Sequence, residues 1–195
     1  VVASKSGSTT EPNVFRNYFF DHMQQLVGEK AGSHFIAITD PGSRMEIDAR
    51  ERGFRHICMG VPSIGGRYSA LSNFGMVPAA LMGLKVQTFL ERTERMVHSC
   101  ASCVPPRENP GVVLGIILGE LAKAGRDKVT IITSPGTSGL GGWLEQLVAE
   151  STGKSGRAII PVDGESLGPP GSYGDDRAFA YIRLDSKPEA SQDSA

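Results

Sequence analysis

Short apolar runs alternate with longer stretches of helical period along most of the chain. Residues 1–3, 34–39, 56–59, 129–133, 158–162 and 178–183 form apolar runs of strand length. Most are followed at once by Gly, Ser, Thr, Pro or Asp. Apolar runs without strict alternation suit strands covered on both faces, the pattern of a parallel sheet. Helical periodicity covers residues 11–27, 43–52, 70–82, 85–100, 111–124 and 140–152. Pro12 sits early in the first of these, where its missing N–H costs nothing. Ser43 with Glu46 three positions on predicts a capping box. Gly28, Gly53 and Gly125 each follow a helical stretch, as left-handed caps do. The order β-α-β-α-β, three helices, then β-α-β predicts an α/β fold. Its form is a doubly wound, mostly parallel sheet with helices on both faces. Residues 1–163 read as one domain, and 164–195 as a loop, one strand and a polar tail. The loop signal is strongest over 164–176 (GESLGPPGSYGDD).

Composition narrows the function classes. The 195 residues carry 20 Lys+Arg against 21 Asp+Glu, a formal net charge of -1. A nucleic-acid partner is not expected, because phosphate backbones call for a basic face. Three Cys cannot all pair within one chain, so a reducing, cytoplasmic setting is expected. No apolar stretch approaches the ~20 residues that span a bilayer, so no membrane association is expected. The chain opens on Val1-Val2-Ala3 without Met and ends on a small, polar stretch over 185–195, expected to be a frayed tail or linker. Both ends read as cuts in a longer protein.

Candidate chemistry begins directly after the first strand. Residues 4–12 (SKSGSTTEP) offer five hydroxyls, one ammonium and a glycine before a helix N-terminus. Hydroxyls, backbone N–H groups and a helix dipole together suit a phosphate. The Walker pattern is absent, which favours a simple phosphomonoester over a nucleoside triphosphate. A Ser/Thr-rich loop that only caps the helix is the competing reading.

The loop resembles the phosphosugar-binding loop of sugar isomerase (SIS) domains, which are doubly wound α/β sandwiches. Residues 62–72 (PSIGGRYSALS) resemble the GGR(Y/F)S signature of phosphoglucose isomerases. Paired glycines let a backbone N–H and a guanidinium converge on one small ligand, and Arg stabilises an oxyanion without losing its own proton. Residues 150–154 (ESTGK) resemble the ES(N/T)GK segment of the same family, whose Glu is the catalytic base. A carboxylate at a helix C-terminus among apolar neighbours is expected to have a raised pKa. The stretch from Gly142 to Lys154 (GWLEQLVAESTGK) followed by AIIPVDGE resembles most the isomerase part of bifunctional transaldolase/phosphoglucose isomerase proteins.

The resemblance implies a ketose–aldose isomerase acting on a hexose 6-phosphate, with no metal and no organic cofactor. Ser4, Lys5, Ser6 and Thr9 match the phosphate-contacting positions. Glu150 matches the base that moves a proton between C2 and C1, and Gly66 with Arg67 the group that stabilises charge on oxygen. The family is dimeric, so a homodimer is expected of the full-length enzyme. The family also opens the sugar ring with a His and a C-terminal Lys, and neither has a matching segment here. His22, His34, His56 and His98 all precede Glu150. The chain alone is therefore expected to lack ring opening. A non-catalytic phosphosugar-binding module and one half of a bifunctional transaldolase/isomerase are the alternatives.

Other signals carry less. Cys100 and Cys103 form a C-x-x-C beside His98 without a second ligand pair, which reads as a helix end with ordinary thiols. Residues 136–142 are glycine-rich but do not fit G-x-G-x-x-G, so they read as a loop that admits the sugar or lets a helix pack closely. Trp143 and the cluster Phe15, Phe19 and Phe20 read as helix core, and Cys58 as strand core.

Overall fold

The structure is a computed structural model and describes residues 1–184. The polar tail expected over 185–195 lies outside the described residues. The chain divides into two compact units, Val1–Glu94 and the remainder from Arg95.

In the first unit, strands β1 (Val2–Ala3), β2 (Ile36–Thr39) and β3 (His56–Met59) form a parallel sheet in the order β1-β2-β3. Helix α1 (Thr10–Val27) and a 3-10 segment (Gly28–His34) connect β1 to β2. Helix α2 (Arg44–Glu51) connects β2 to β3. Such crossovers force the strands to run the same way. Phe20, Phe35 and Phe54 meet with ring centroids 5.1–6.1 Å apart. Ala31, Ala37, Met45 and Ala49 complete this core. The Arg52 guanidinium lies 4.7 Å above the Phe20 ring and closes its edge. Ser43 caps α2 by accepting from the Glu46 N–H at 3.1 Å. Glu46 returns its carboxylate to the Gly42 N–H at 2.6 Å, since the Ser43 N–H is already given to the Asp40 carbonyl.

The helix expected over 70–82 starts later. A 3-10 segment (Gly66–Leu71) precedes helix α3 (Asn73–Leu81). The Ser69 hydroxyl donates to the Gly66 carbonyl and the Ser72 hydroxyl to the Ser69 carbonyl, so local side-chain bonds replace helical ones. Helix α4 (Val86–Ser99) follows and contains the division between the units.

In the second unit, helix α5 (Pro110–Lys123) is capped by Asn109, whose side chain accepts from the Val112 N–H at 3.1 Å. Strands β4 (Lys128–Thr133), β5 (Ile160–Asp163) and β6 (Arg177–Ile182) form a second parallel sheet, in the order β5-β4-β6. Helix α6 (Leu140–Thr152) connects β4 to β5. Val129, Ile131 and Ala178 form the core, with Leu118, Leu121 and Leu144 packed against it.

The α/β class with parallel pairing and the predicted order of strands and helices are observed. The strands fall into two three-stranded sheets rather than one continuous one. The loop over 164–176 carries the chain from β5 past β4 to β6, which pairs with β4 from Lys128↔Arg177 to Thr133↔Ile182. The strand after Gly164 is part of the second sheet. Gly28, Gly53 and Gly125 all have positive φ, but Gly28, with ψ −134°, is not in the left-handed helical conformation expected of it.

Several core expectations are corrected. Trp143 is 42% exposed, because α6 turns Gly141 and Leu144 to the sheet instead. Phe15 and Phe19 are 62% and 53% exposed, and only Phe20 of that cluster enters the core. Cys58 is half-buried, and Cys100 and Cys103 are exposed. Among the described residues no helix is long and apolar enough to cross a membrane, and no group of three metal-ligating side chains is found.

At the start of β4, Lys128 donates to Asp176 and to Asp127. The Lys128 ammonium holds the Asp176 carboxyl below the usual carboxylate range, and Asp176, then Asp127, raises Lys128. A depressed carboxyl contributes stability above its unfolded pKa of about 4, and the contribution is lost as pH falls through the folded value. The raised Lys128 contributes below its unfolded pKa of about 10.4, and that part is lost as pH rises through the folded value. Asp176→Asn is expected to lower the urea midpoint at neutral pH, and by less at about pH 3, where the unfolded carboxyl is already largely protonated. A gap of the same size at both pH values would contradict this assignment.

Candidate functional site

In parallel α/β sheets ligands gather at the carboxyl ends of the strands. In the first unit, three segments meet at that edge. Ser4 donates its N–H to the Ile38 carbonyl at 3.0 Å, Asp40 to Lys5 at 3.1 Å, and Gly60 to Thr39 at 2.7 Å. The loop of residues 4–9, the start of the α2 turn and the segment leading to Gly66 and Arg67 thus begin side by side.

The loop is tied from within. Gly7 donates its N–H to the Ser4 hydroxyl at 3.1 Å. Gly7 has φ +70°, and a Cβ there would strike the Met45 backbone, so glycine is required on both counts. The Asn13 amide donates to the Gly7 and Thr9 carbonyls at 2.9 and 2.8 Å. Those bonds satisfy carbonyls and take up none of the N–H groups at the helix start. Thr9 is the N-cap residue of α1, yet its side chain makes no capping bond. The orphan N–H groups of this helix start are therefore not consumed by the loop itself. The simple capping reading of the Ser/Thr run does not match this geometry.

The four predicted phosphate residues differ in what they present. Ser6 and Thr9 are not buried: Thr9 is exposed and Ser6 offers its hydroxyl at the loop surface. Ser4 is buried, at 6% exposure, and its hydroxyl serves Gly7 and Thr9. Lys5 places its ammonium 3.0 and 2.8 Å from the two Asp40 carboxylate oxygens and donates to the Val61 carbonyl at 3.1 Å. The sequence reading missed Ser8, an exposed hydroxyl 2.6 Å from that of Ser6. It also missed Thr39, Asp40 and Asn13. The signal for Asp40 was present as an acidic residue ending a buried strand.

Gly66 and Arg67 open the 3-10 segment after β3. Open space surrounds the position a Gly66 side chain would take. Arg67 is half-buried, with its guanidinium 5.1 Å over the Tyr68 ring. That contact limits the side chain's freedom and lowers the entropy cost of presenting it.

In the second unit, Glu150 lies in the last turn of α6. Gly141 seats this helix on β5, because a side chain there would collide with the Asp163 carboxylate. This is the close packing expected of the glycine-rich loop. The segment after Glu150 is locked locally. Lys154 donates to the Glu150 carbonyl at 2.9 Å, one of the orphan carbonyls of the helix end. The Thr152 hydroxyl donates to the Val148 carbonyl and accepts from the Ile159 N–H. Gln146 donates to Glu150 Oε1 at 3.0 Å. The Glu150 side chain is exposed. The apolar enclosure expected from its neighbours is not supplied, because the apolar face of α6 turns toward the sheet.

Comparison with known proteins bears on this arrangement. The chain is 37% identical over 163 residues to a glucose-6-phosphate isomerase of Synechococcus sp. (strain JA-3-3Ab), covering 80% of this chain and 29% of that protein. The chain is related to the glucose-6-phosphate isomerases. A crystal structure of a glucose-6-phosphate isomerase from Chlamydia trachomatis superposes with a TM-score of 0.65 at 26% identity, over 83% of this chain and 34% of that one. A crystal structure of a hypothetical protein from Thermus thermophilus gives a TM-score of 0.75 at 24% identity, over 92% of this chain and 46% of that one. The latter bears on the fold alone. The chain spans about a third of the length of the curated relatives it matches. No protein-family model matches the chain.

Proposed function

We propose that the protein to which this chain belongs interconverts glucose 6-phosphate and fructose 6-phosphate through a cis-enediol(ate). The observation that carries this reading is the uncapped start of α1 behind an internally braced hydroxyl loop, in a chain related to isomerases of that substrate. The N–H groups and the hydroxyls of Ser6 and Thr9, placed by Ser4 and Lys5, bind the phosphate. Glu150 takes the C2 proton and returns it to C1. The Gly66 N–H and the Arg67 guanidinium stabilise the charge that develops on oxygen. Proton transfer by one positioned base is worth about 10²–10⁴ in rate. No metal or organic cofactor is assigned a role.

The protein is read as cytoplasmic, without nucleic-acid partners, and as a homodimer at full length. One half of a bifunctional transaldolase/isomerase is a further alternative, resting on the resemblance of the run from Gly142 to Lys154. A phosphosugar-binding module without catalysis is the second reading. Its support is the loop of residues 4–10, which serves both readings, whereas Arg67 with Glu150 serves the enzyme alone. The deciding experiment assays the full-length protein for conversion of fructose 6-phosphate to glucose 6-phosphate. Turnover supports the isomerase. Tight sugar-phosphate binding without turnover supports the binding module.

A further inference from the structure

Lys5 would be the loop's cation, but its charge is already matched. Its ammonium sits against both oxygens of Asp40, and the two side chains are 26% and 18% exposed. It also donates to the Val61 carbonyl and lies 5.7 Å over the Phe74 ring. Three chain segments are therefore joined at one point: the loop after β1, the end of β2, and the segment from Val61 that leads to Gly66 and Arg67. The backbone reserves space for the pair. A side chain at Gly60 would collide with the Asp40 carboxylate and with the Phe74 ring. The Thr39 hydroxyl lies 2.6 Å from the Ser4 carbonyl and 3.0 Å from that of Lys5, so the same strand end also holds the loop backbone.

We propose that Asp40 is a positioning residue: through Lys5 it fixes the segment bearing Gly66 and Arg67 against the phosphate loop. This rests on reading residues 4–9 as the phosphate site. Lys5 then acts as a tie and not as a direct phosphate ligand, and phosphate is met by N–H groups and hydroxyls. The two members of the pair have different jobs. Without Lys5, the Asp40 carboxylate stands uncompensated beside an anion site and repels the ligand. Without the Asp40 charge, the ammonium still attracts phosphate, but the segment carrying Arg67 loses its anchor.

The test uses the full-length protein with D40N, D40E, K5M and the D40N/K5M double variant. It measures the Kd for inorganic phosphate alongside kcat and KM. D40N is expected to lower kcat about 10–100-fold with KM not raised, since small misplacements of catalytic groups cost that much. D40E keeps the charge on a longer arm and is expected to recover kcat in part. K5M is expected to weaken phosphate binding about tenfold, and D40N/K5M to restore much of it by removing the stranded carboxylate. If K5M weakens phosphate binding and D40N does not relieve it, Lys5 is a direct ligand and the proposal fails. Unchanged kcat in both D40N and D40E also overturns it. If the parent binds phosphate without turning over sugar, the Kd cycle alone decides, and only the isomerase reading is lost. A parent with no phosphate affinity overturns both.

Discussion

Glu150→Gln in the full-length protein is expected to cut exchange of the C2 proton with solvent by about 10²–10⁴-fold while leaving sugar-phosphate affinity nearly unchanged. The substitution is close to isosteric, and its amide oxygen can still accept from Gln146. Lys154 bonds the Glu150 carbonyl, not its carboxylate, so the helix end keeps its tie. Substitutions at exposed sites typically move stability by no more than about 0.5 kcal/mol. A lost activity would thus report chemistry and not unfolding. Deuterium incorporation from heavy water, read together with calorimetric binding, checks the result. Incorporation at the parent rate would remove Glu150 as the base.

The second large effect is expected at Arg67. Arg67→Ala should lower kcat by about 10²–10³, the usual cost of one oxyanion donor, with a smaller change in KM. Loss confined to KM would instead mark a contact made equally in ground and transition states. Arg67→Lys is expected to recover only part of the loss. A compact ammonium keeps the charge but lacks the planar fork and the stacking that the guanidinium has over Tyr68. Measuring the steady-state constants of both variants separates charge from geometry.

Much of the fold was legible because parallel strands and their crossover helices leave strong local marks. An apolar run followed by a Ser- or Gly-rich stretch located β1 and its loop. The Ser43–Glu46 spacing located the start of α2, and the structure adds only that the Glu46 partner is Gly42. The start of α3 was not legible, because Ser69 and Ser72 spend their hydroxyls on nearby carbonyls and periodicity does not show such bonds. Trp143, Phe15 and Phe19 were misplaced for a different reason. Large apolar side chains read as core wherever they fall on a helix, but which side meets the sheet depends on where the helix docks. Gly141 sets that for α6, and no hydrophobicity argument favours a glycine.

The chemistry divides in the same way. Residue types at short spacing are set by sequence: the hydroxyls of the loop at 4–10, the paired glycines before Arg67, and a Glu two residues from the end of α6. Long-range partners belong to the tertiary structure. Asp40 lies 35 residues from Lys5 and Val61 lies 56 residues away, yet all three meet at one sheet edge. Parallel pairing of β1, β2 and β3 brings them there, since register aligns strand ends that the sequence holds far apart. The chain's own order of residues thus determined the class of fold and the short motifs on which the phosphate proposal rests. Folding decided that the Lys5 ammonium is matched by the Asp40 carboxylate, because parallel register sets the ends of β1 and β2 side by side.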